Sequence, residues 1–403
     1  MIIDIRKLKI LPIMMASVLT VQTSVSFNVF SFLRPLSYLT LGLGLLNFSL
    51  MMCLFARRAQ MSLLGGVISI YYFLLITFSI IGGTDVKSAT YTGIGVWLIL
   101  LLYNYYKDDC GVLLKTFALT LSICAYANLL LMVLFPSWMF AAEDSNRSFL
   151  LGGNYNSLGC RFLCGIVLSM LCIHYGKKWL INALVLSLVS LITLVMVGSM
   201  TSLSSIALFL LLCLIPSVRL KKIALVGFFT VYVLFQVFVV FGGEGLYNNE
   251  LAVYFIRDVL GKDLTFTFRT SMWDAASRVV AESPIIGYGM VDNDWYVTNM
   301  SSFAIGPHNF LYAVLIYGGV SLLLVFLCTF AISLKHIVFV LDNSAMILLL
   351  GINTLLFMML MEAYPDFFIM LLLITAYYYP SLRESWIKEP VNNERNISVS
   401  IDE

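Results

Sequence analysis

Residues 61–82 contain no charged side chain, and stretches of this kind recur along the whole chain. A helix needs a run of about twenty apolar residues to cross the hydrocarbon of a bilayer. Inside that hydrocarbon every backbone N–H and C=O must find an internal partner, so only helices and closed barrels span it. Barrel strands read as alternating segments of about ten residues, whereas these runs are continuous. Composition agrees. The 403 residues are 61% hydrophobic and 11% charged, where soluble domains carry about 25% charge, too few here to cover a water-facing surface. The expected fold is all-α, a polytopic membrane protein whose setting is the lipid bilayer.

About twelve spans are expected, near 10–30, 35–55, 61–82, 91–106, 116–136, 156–175, 179–198, 202–218, 223–241, 306–334, 344–362 and 367–380. No small-residue cleavage site follows the first, which is therefore read as a retained span. The chain divides into nine spans over 1–241, a large loop over 242–305, three spans over 306–380 and a tail over 381–403. With both termini cytoplasmic, sixteen lysines and arginines fall inside and seven outside, as the preference of basic residues for cytoplasmic loops requires. The long loop then faces outward. No internal repeat is visible, which weakens a transporter reading, since many transporters are built from repeats. The net charge of +2 balances the two sides and implies no nucleic-acid partner. Seven of the eight cysteines fall in expected spans and Cys110 in a cytoplasmic loop. None has the His or acidic company of a zinc site, so they read as small packing residues and no metal is expected.

The chemistry gathers in the outward segments. Within the long loop, Phe268 to Pro284 places Met272, Trp273, Ala276, Val279 and Val280 on one helical arc. Ser271, Asp274, Ser277, Arg278 and Glu282 share the other. The reading is a short amphipathic helix on the membrane surface, capped at Ser271 and closed at Pro284. Arg278 lies between carboxylates four residues to either side, the spacing of an ordinary helix-surface ion pair. Arg269 falls on the arc of Trp273, facing the bilayer, where a cation needs a headgroup or a ligand. Beyond the helix come a Gly287-Tyr-Gly289 turn and then Gly306-Pro307-His308-Asn309, which opens the tenth span. A base is plausible at His308, beside Asn309 and below the loop; a structural hydrogen bond is the other reading. In a third cluster, Asn146 to Arg161, residues Asn154, Ser157, Arg161 and Gly165 fall on one stripe of the sixth span. An arginine within a span is costly unless paired or facing a watery cavity. Arg161 therefore reads either as a functional group or as half of a buried pair with Glu362 or Asp366.

Together these motifs resemble the O-antigen polymerase/ligase superfamily. Arg-x-x-x-Trp at 269–273, a Pro-to-Gly-x-Gly stretch at 284–289, Pro-His-Asn at 307–309 and Gly318-Gly319 follow in the family's order. The segment from Asn146, with Arg147, to Gly159 is similar to that family's outer Arg…Gly…Asn-x-x-Gly segment. The resemblance implies a GT-C-like glycosyltransferase of the bacterial plasma membrane with an extracytoplasmic site. Its donor would be an oligosaccharide on a polyprenyl pyrophosphate, moved without a cofactor onto the next lipid-linked repeat unit (polymerase) or onto a lipid A core (ligase). The polymer would be an O-antigen, capsule or exopolysaccharide, and a chain-length regulator and a flippase would be partners. By the same resemblance Arg269 and His308 are the catalytic candidates, the one gripping pyrophosphate and the other acting on the acceptor hydroxyl. Arg147, Arg161, Arg278, Asn154, Asn309 and Trp273 are the substrate-binding candidates. Arginine suits the task because guanidinium holds phosphate oxygens bidentately and stabilises leaving-group charge.

One departure separates the branches. Ligases of the family carry an arginine just after the seventh span, and this chain reads Gly198-Ser199-Met200-Thr201-Ser202 there. The polymerase branch is favoured. Two other classes compete: a metal-dependent transferase using the Asp292-Asn-Asp294 triplet, and a transporter or flippase for lipid-linked sugars.

Overall fold

The computed structural model describes residues 61–136, 157–243, 250–254, 269–301, 306–364 and 366–388, with a few isolated positions between 42 and 52. Apart from those positions, the spans expected at 10–30 and 35–55 lie outside the described residues. So do Arg147 and Asn154. Among the described residues the regular structure is entirely helical. The principal helices are α1 (Leu63–Gly82), α2 (Val86–Tyr105), α3 (Cys110–Leu134), α4 (Leu158–Leu171), α5 (Lys177–Val197), α6 (Met200–Cys213) and α7 (Val218–Phe235). They continue with α8 (Arg269–Glu282), α9 (Asn293–Asn299), α10 (Phe310–Leu334), α11 (Asn343–Met358), α12 (Asp366–Tyr377) and α13 (Tyr379–Lys388).

Ten of the twelve expected spans have a helix among the described residues. Seven helices are long and apolar enough to cross a membrane, whereas α6, α11 and α12 are shorter. The short ones explain themselves by position. Nearly every residue of α11 and α12 is buried inside the protein, and a helix apolar all round belongs in the centre of a bundle. On the periphery, Ile181, Leu184, Ile223 and Phe238 are exposed, the surface a bilayer covers.

Helix boundaries follow local chemistry. The side chains of Ser62, Asp85 and Asp342 accept the N–H of Gly65, Ser88 and Ala345 at 3.1, 2.9 and 2.7 Å. These are N-caps, each satisfying one donor that the first turn leaves unpaired. Capping by Asp85 starts α2 at Val86, five residues before the expected boundary. Cys110, expected in a loop, is instead the buried first residue of α3. Between α4 and its neighbours, Gly159 permits close approach: a Cβ there would lie 2.3 Å from Ser202 Oγ and 2.4 Å from Met358 Cε. Small residues at such crossings let membrane helices meet backbone to backbone.

The helix ends sort into two groups. At one end Lys221 bonds Asn343, His174 bonds Ser344, Tyr175 bonds Ser385 and Tyr379 bonds Asp342. Lys107, Lys177, Lys178, Arg219, Lys222 and Lys335 lie on the termini of these helices or on the turns joining them. At the other end the α1–α2 turn, the start of α10 and the α11–α12 turn meet α8 and its following loop. The candidate functional side chains Arg269 and His308 are there.

Candidate active site

Helix α8 begins at Arg269, two residues before the expected cap at Ser271, and ends at Glu282 ahead of Pro284. Its phase is as read from the sequence: Met272, Trp273, Ala276 and Val279 are buried on one side. The buried side does not lie on lipid, however. It packs with Val240, Tyr312, Ile316 and Leu360, so α10 and the end of α11 are its partners. Trp273, expected to contact substrate, has no exposed surface and packs within this cluster.

Arg269 therefore points into the protein. Its Nε donates to the Met361 carbonyl at 3.0 Å, and its Nη2 donates to Glu362 Oε1 at 2.8 Å. His308 approaches the second oxygen of the same carboxylate, Nδ1 to Oε2, at 3.2 Å. One carboxylate, in the turn after α11, thus joins the two residues carried by α8 and by the entrance to α10. The Glu362 side chain is 7% exposed, against 20% for Arg269 and 19% for His308. Burial pushes the Glu362 carboxyl up, but the hydrogen bond and charge of His308, with the charge of Arg269, outweigh it and hold it below the ordinary carboxylate value. An ionised carboxylate only accepts, so Nδ1 of His308 is the donor in this contact, and in the neutral form of the ring the lone pair lies on Nε2.

The local backbone is built to present His308. It has φ 46°, and it alone among the described non-glycine residues has a positive φ. Such a conformation costs on the order of 1–3 kcal/mol and tends to persist at functional positions. Asn309 supplies part of the compensation. Its Oδ1 accepts the Tyr312 N–H at 3.0 Å, and its Nδ2 donates to Gln236 Oε1 at 2.9 Å and the Leu360 carbonyl at 3.2 Å. Asn309, expected to bind substrate, is thus bonded within the protein on both its oxygen and its nitrogen and holds the turn that carries His308. Phe310 N–H adds a bond to the Met359 carbonyl at 3.0 Å.

The two glycine motifs form a single device. Helix α10 is broken at Gly318 and Gly319, the latter at φ 57°. The chain after α8 fills the break. Tyr288 and Gly289 donate to the carbonyls of Ile316 and Tyr317 at 2.8 and 2.9 Å, while Val320 and Ser321 donate to those of Pro284 and Ile285 at 2.8 and 3.2 Å. A Cβ on Gly319 would lie 2.4 Å from the Ile285 carbonyl carbon, and one on Gly287 2.4 Å from the Ile316 oxygen. Only glycine admits this approach. The interlock ties the helix that carries Arg269 to the span that carries His308.

The remaining candidates lie apart from this cluster. Arg278 is exposed, and among the described residues no carboxylate pairs with it. Glu282, its expected partner, accepts from the Tyr288 hydroxyl at 3.3 Å instead. Arg161 is 3% exposed and donates from Nη1 to Ser157 Oγ at 2.9 Å and to the Ser157 carbonyl at 3.2 Å. Its Cζ stands 5.4 Å from the Phe368 ring centre. Neither acidic residue proposed as its partner serves that role, because Glu362 binds Arg269 and His308 while Asp366 accepts from the Tyr72 hydroxyl at 2.8 Å. Asp292, first of the Asp-x-Asp triplet, caps α9 by accepting the Trp295 N–H at 2.9 Å. That cap gives Asp292 a structural task.

Glu362 is the residue whose partners the sequence did not reveal, since it was offered only as a mate for Arg161. The signal was an acidic side chain closing an apolar run; its cationic partners lie 93 and 54 positions away, and no periodicity reveals such a pairing.

Residues 183–327 match the family described as O-antigen ligase. Through this region the chain is similar to the O-antigen polymerase/ligase superfamily. The matched stretch contains α8, the Gly287-Tyr-Gly289 turn, His308 and the broken half of α10, and it stops short of Glu362. With the apolar helices around it, the match supports a membrane-embedded, glycan-handling enzyme. No curated protein and no solved structure matches the chain.

Proposed function

We propose that the protein is a polysaccharide polymerase, transferring a glycan from polyprenyl pyrophosphate to the next lipid-linked repeat unit. The observation that carries this reading is the convergence of Arg269 and His308 on Glu362. His308, oriented through Nδ1, takes the proton of the acceptor hydroxyl at Nε2. The acceptor oxygen bonds to the anomeric carbon of the donor as the bond from that carbon to the pyrophosphate oxygen breaks. The electron pair leaves with the polyprenyl pyrophosphate, whose charge Arg269 stabilises. Arg161 and Arg147 are further candidates for the phosphates. The leaving group is already activated, so charge neutralisation by arginine suffices and no cofactor is required. The end of the bundle rich in lysine and arginine reads as cytoplasmic; on that reading both termini would be inside and the site on the outer face of a bacterial plasma membrane. A chain-length regulator and a flippase would act beside it.

Purified protein given lipid-linked repeat units should produce a ladder of polymer lengths, also in excess EDTA. Transfer of a preformed glycan to a lipid A core, with no ladder, would move the protein to the ligase branch. Loss of the ladder in chelator, restored by Mn²⁺, would put metal in place of arginine.

A further inference from the structure

A cavity of about 490 Å³ opens between α1, α2, α10 and α12, and several of its lining residues are close chain neighbours of the candidate active-site residues. Phe310, two residues after His308, forms part of the wall, as do Ala363 and Tyr364, which follow Glu362. Further in, Tyr71, Tyr91 and Tyr317 present aromatic surface, and Asp366 and Thr92 present polar groups. Among the described residues no lysine, arginine or histidine lines it.

We propose that this cavity holds the terminal sugar ring of the acceptor, the ring whose hydroxyl is to be glycosylated. This rests on the glycosyl-transfer reading above, yet it is indifferent to whether the acceptor is a repeat unit or a lipid A core. The size falls within the roughly 300–1,000 Å³ of small-molecule sites. The chemistry is that of a neutral, hydroxyl-rich ligand. Tyrosine rings offer flat apolar faces with a polar edge, and a carboxylate accepts hydroxyl protons in strong charge-assisted bonds. Asp366 takes one such bond already, from the Tyr72 hydroxyl at 2.8 Å.

The same lining excludes the alternatives. A pyrophosphate would enter a pocket holding a carboxylate and no cation, an arrangement that repels it. An isoprenoid chain would desolvate Asp366 without replacing its hydrogen bonds, which is costly for a buried charge. The donor's phosphates belong with Arg269, on the α8 side of Glu362. The acceptor belongs on the α12 side, and His308 stands between them.

The test uses the full-length protein in nanodiscs with the repeat-unit oligosaccharide released from the producing cell's own lipid-linked glycan, free of lipid and phosphate. Saturation-transfer NMR should show a signal at the terminal sugar in wild type. Both Asp366→Asn and Thr92→Phe should abolish it, the second by filling the cavity without touching a charge. In steady-state assays each variant should raise the acceptor KM roughly tenfold, the scale of one lost hydrogen bond to a charged group, with the donor KM within about twofold of wild type. If Asp366→Asn does not fold, Thr92→Phe decides alone. Absence of the sugar signal in wild type, its persistence in Thr92→Phe, or isoprenoid methyl signals that Thr92→Phe removes would overturn the proposal. A sugar signal that both variants abolish, in a protein that transfers no glycan, would instead overturn the transferase reading and leave the cavity a sugar site.

Discussion

Each end of the bundle has a carboxylate facing a cation, and the two differ in kind. At the basic end Asp342 lies 3.8 Å from Arg383, with side-chain exposures of 29% and 59%. At the opposite end Glu362 bonds Arg269 at 2.8 Å and His308 at 3.2 Å and is nearly buried. The first carboxylate already has a local task, capping α11 and accepting from Tyr379. The second serves no helix. Its two partners come from separate stretches of chain, and one of them, His308, sits on a strained backbone. An exposed pair with a capping role is explained by folding alone, whereas a buried junction of acid, base and cation needs a function to explain it.

The comparison can be broken at several points. The largest effect is expected from His308→Ala, which should lower kcat by about 10²–10⁴-fold as a general base is removed. Donor binding, measured with the lipid-linked oligosaccharide, should stay near wild type, and an active His308→Ala would remove the base from this site. Next comes Arg269→Lys, which keeps the charge but loses the two-pronged geometry; a fall of about 10²-fold in polymer formation is expected. Glu362→Gln should cost less, roughly tenfold in kcat, because the amide oxygen can still orient His308 through Nδ1 but stabilises its positive charge poorly. Unaltered turnover in this variant would reduce Glu362 to the status of Asp342. Arg383→Ala, at the other end, should shift thermal stability by no more than about 1 kcal/mol, the range of exposed ion pairs, with turnover unchanged. Smallest of all is Arg278→Lys: the exposed guanidinium has no partner among the described residues, and activity should be retained. A dead Arg278→Lys beside an active Arg269→Lys would mean that the catalytic face of α8 is the exposed one.

Legibility in the sequence followed the range of the forces involved. Spans are written in runs of apolar residues, and the phase of α8 in a local period, so both could be read. What covered the apolar face of α8 could not, because lipid and a neighbouring span are equally apolar and hydropathy does not distinguish them. His308 and Arg269 were visible as unusual polar residues at a boundary. Their common partner was not, because a bond across 93 positions depends on how α11 and α12 turn inside the bundle. The burial of Asn309 and Trp273 was hidden for a related reason: a side chain next to a functional one often exists to hold it, and adjacency in sequence does not separate the two tasks.

The filled break in α10 has a consequence for how the chain is made. A span interrupted at Gly318 and Gly319 leaves backbone donors and acceptors unmatched at the interruption, and lipid offers them nothing. The segment 284–289 that satisfies them precedes the span in the chain, so it has already been synthesised when the span enters the membrane. It must nevertheless be on the correct side and close at hand. Insertion of α10 and docking of its plug are therefore one event in biogenesis. A substitution such as Gly319→Ala, which blocks the plug, should be seen first as failure to accumulate in the membrane, before any question of catalysis arises.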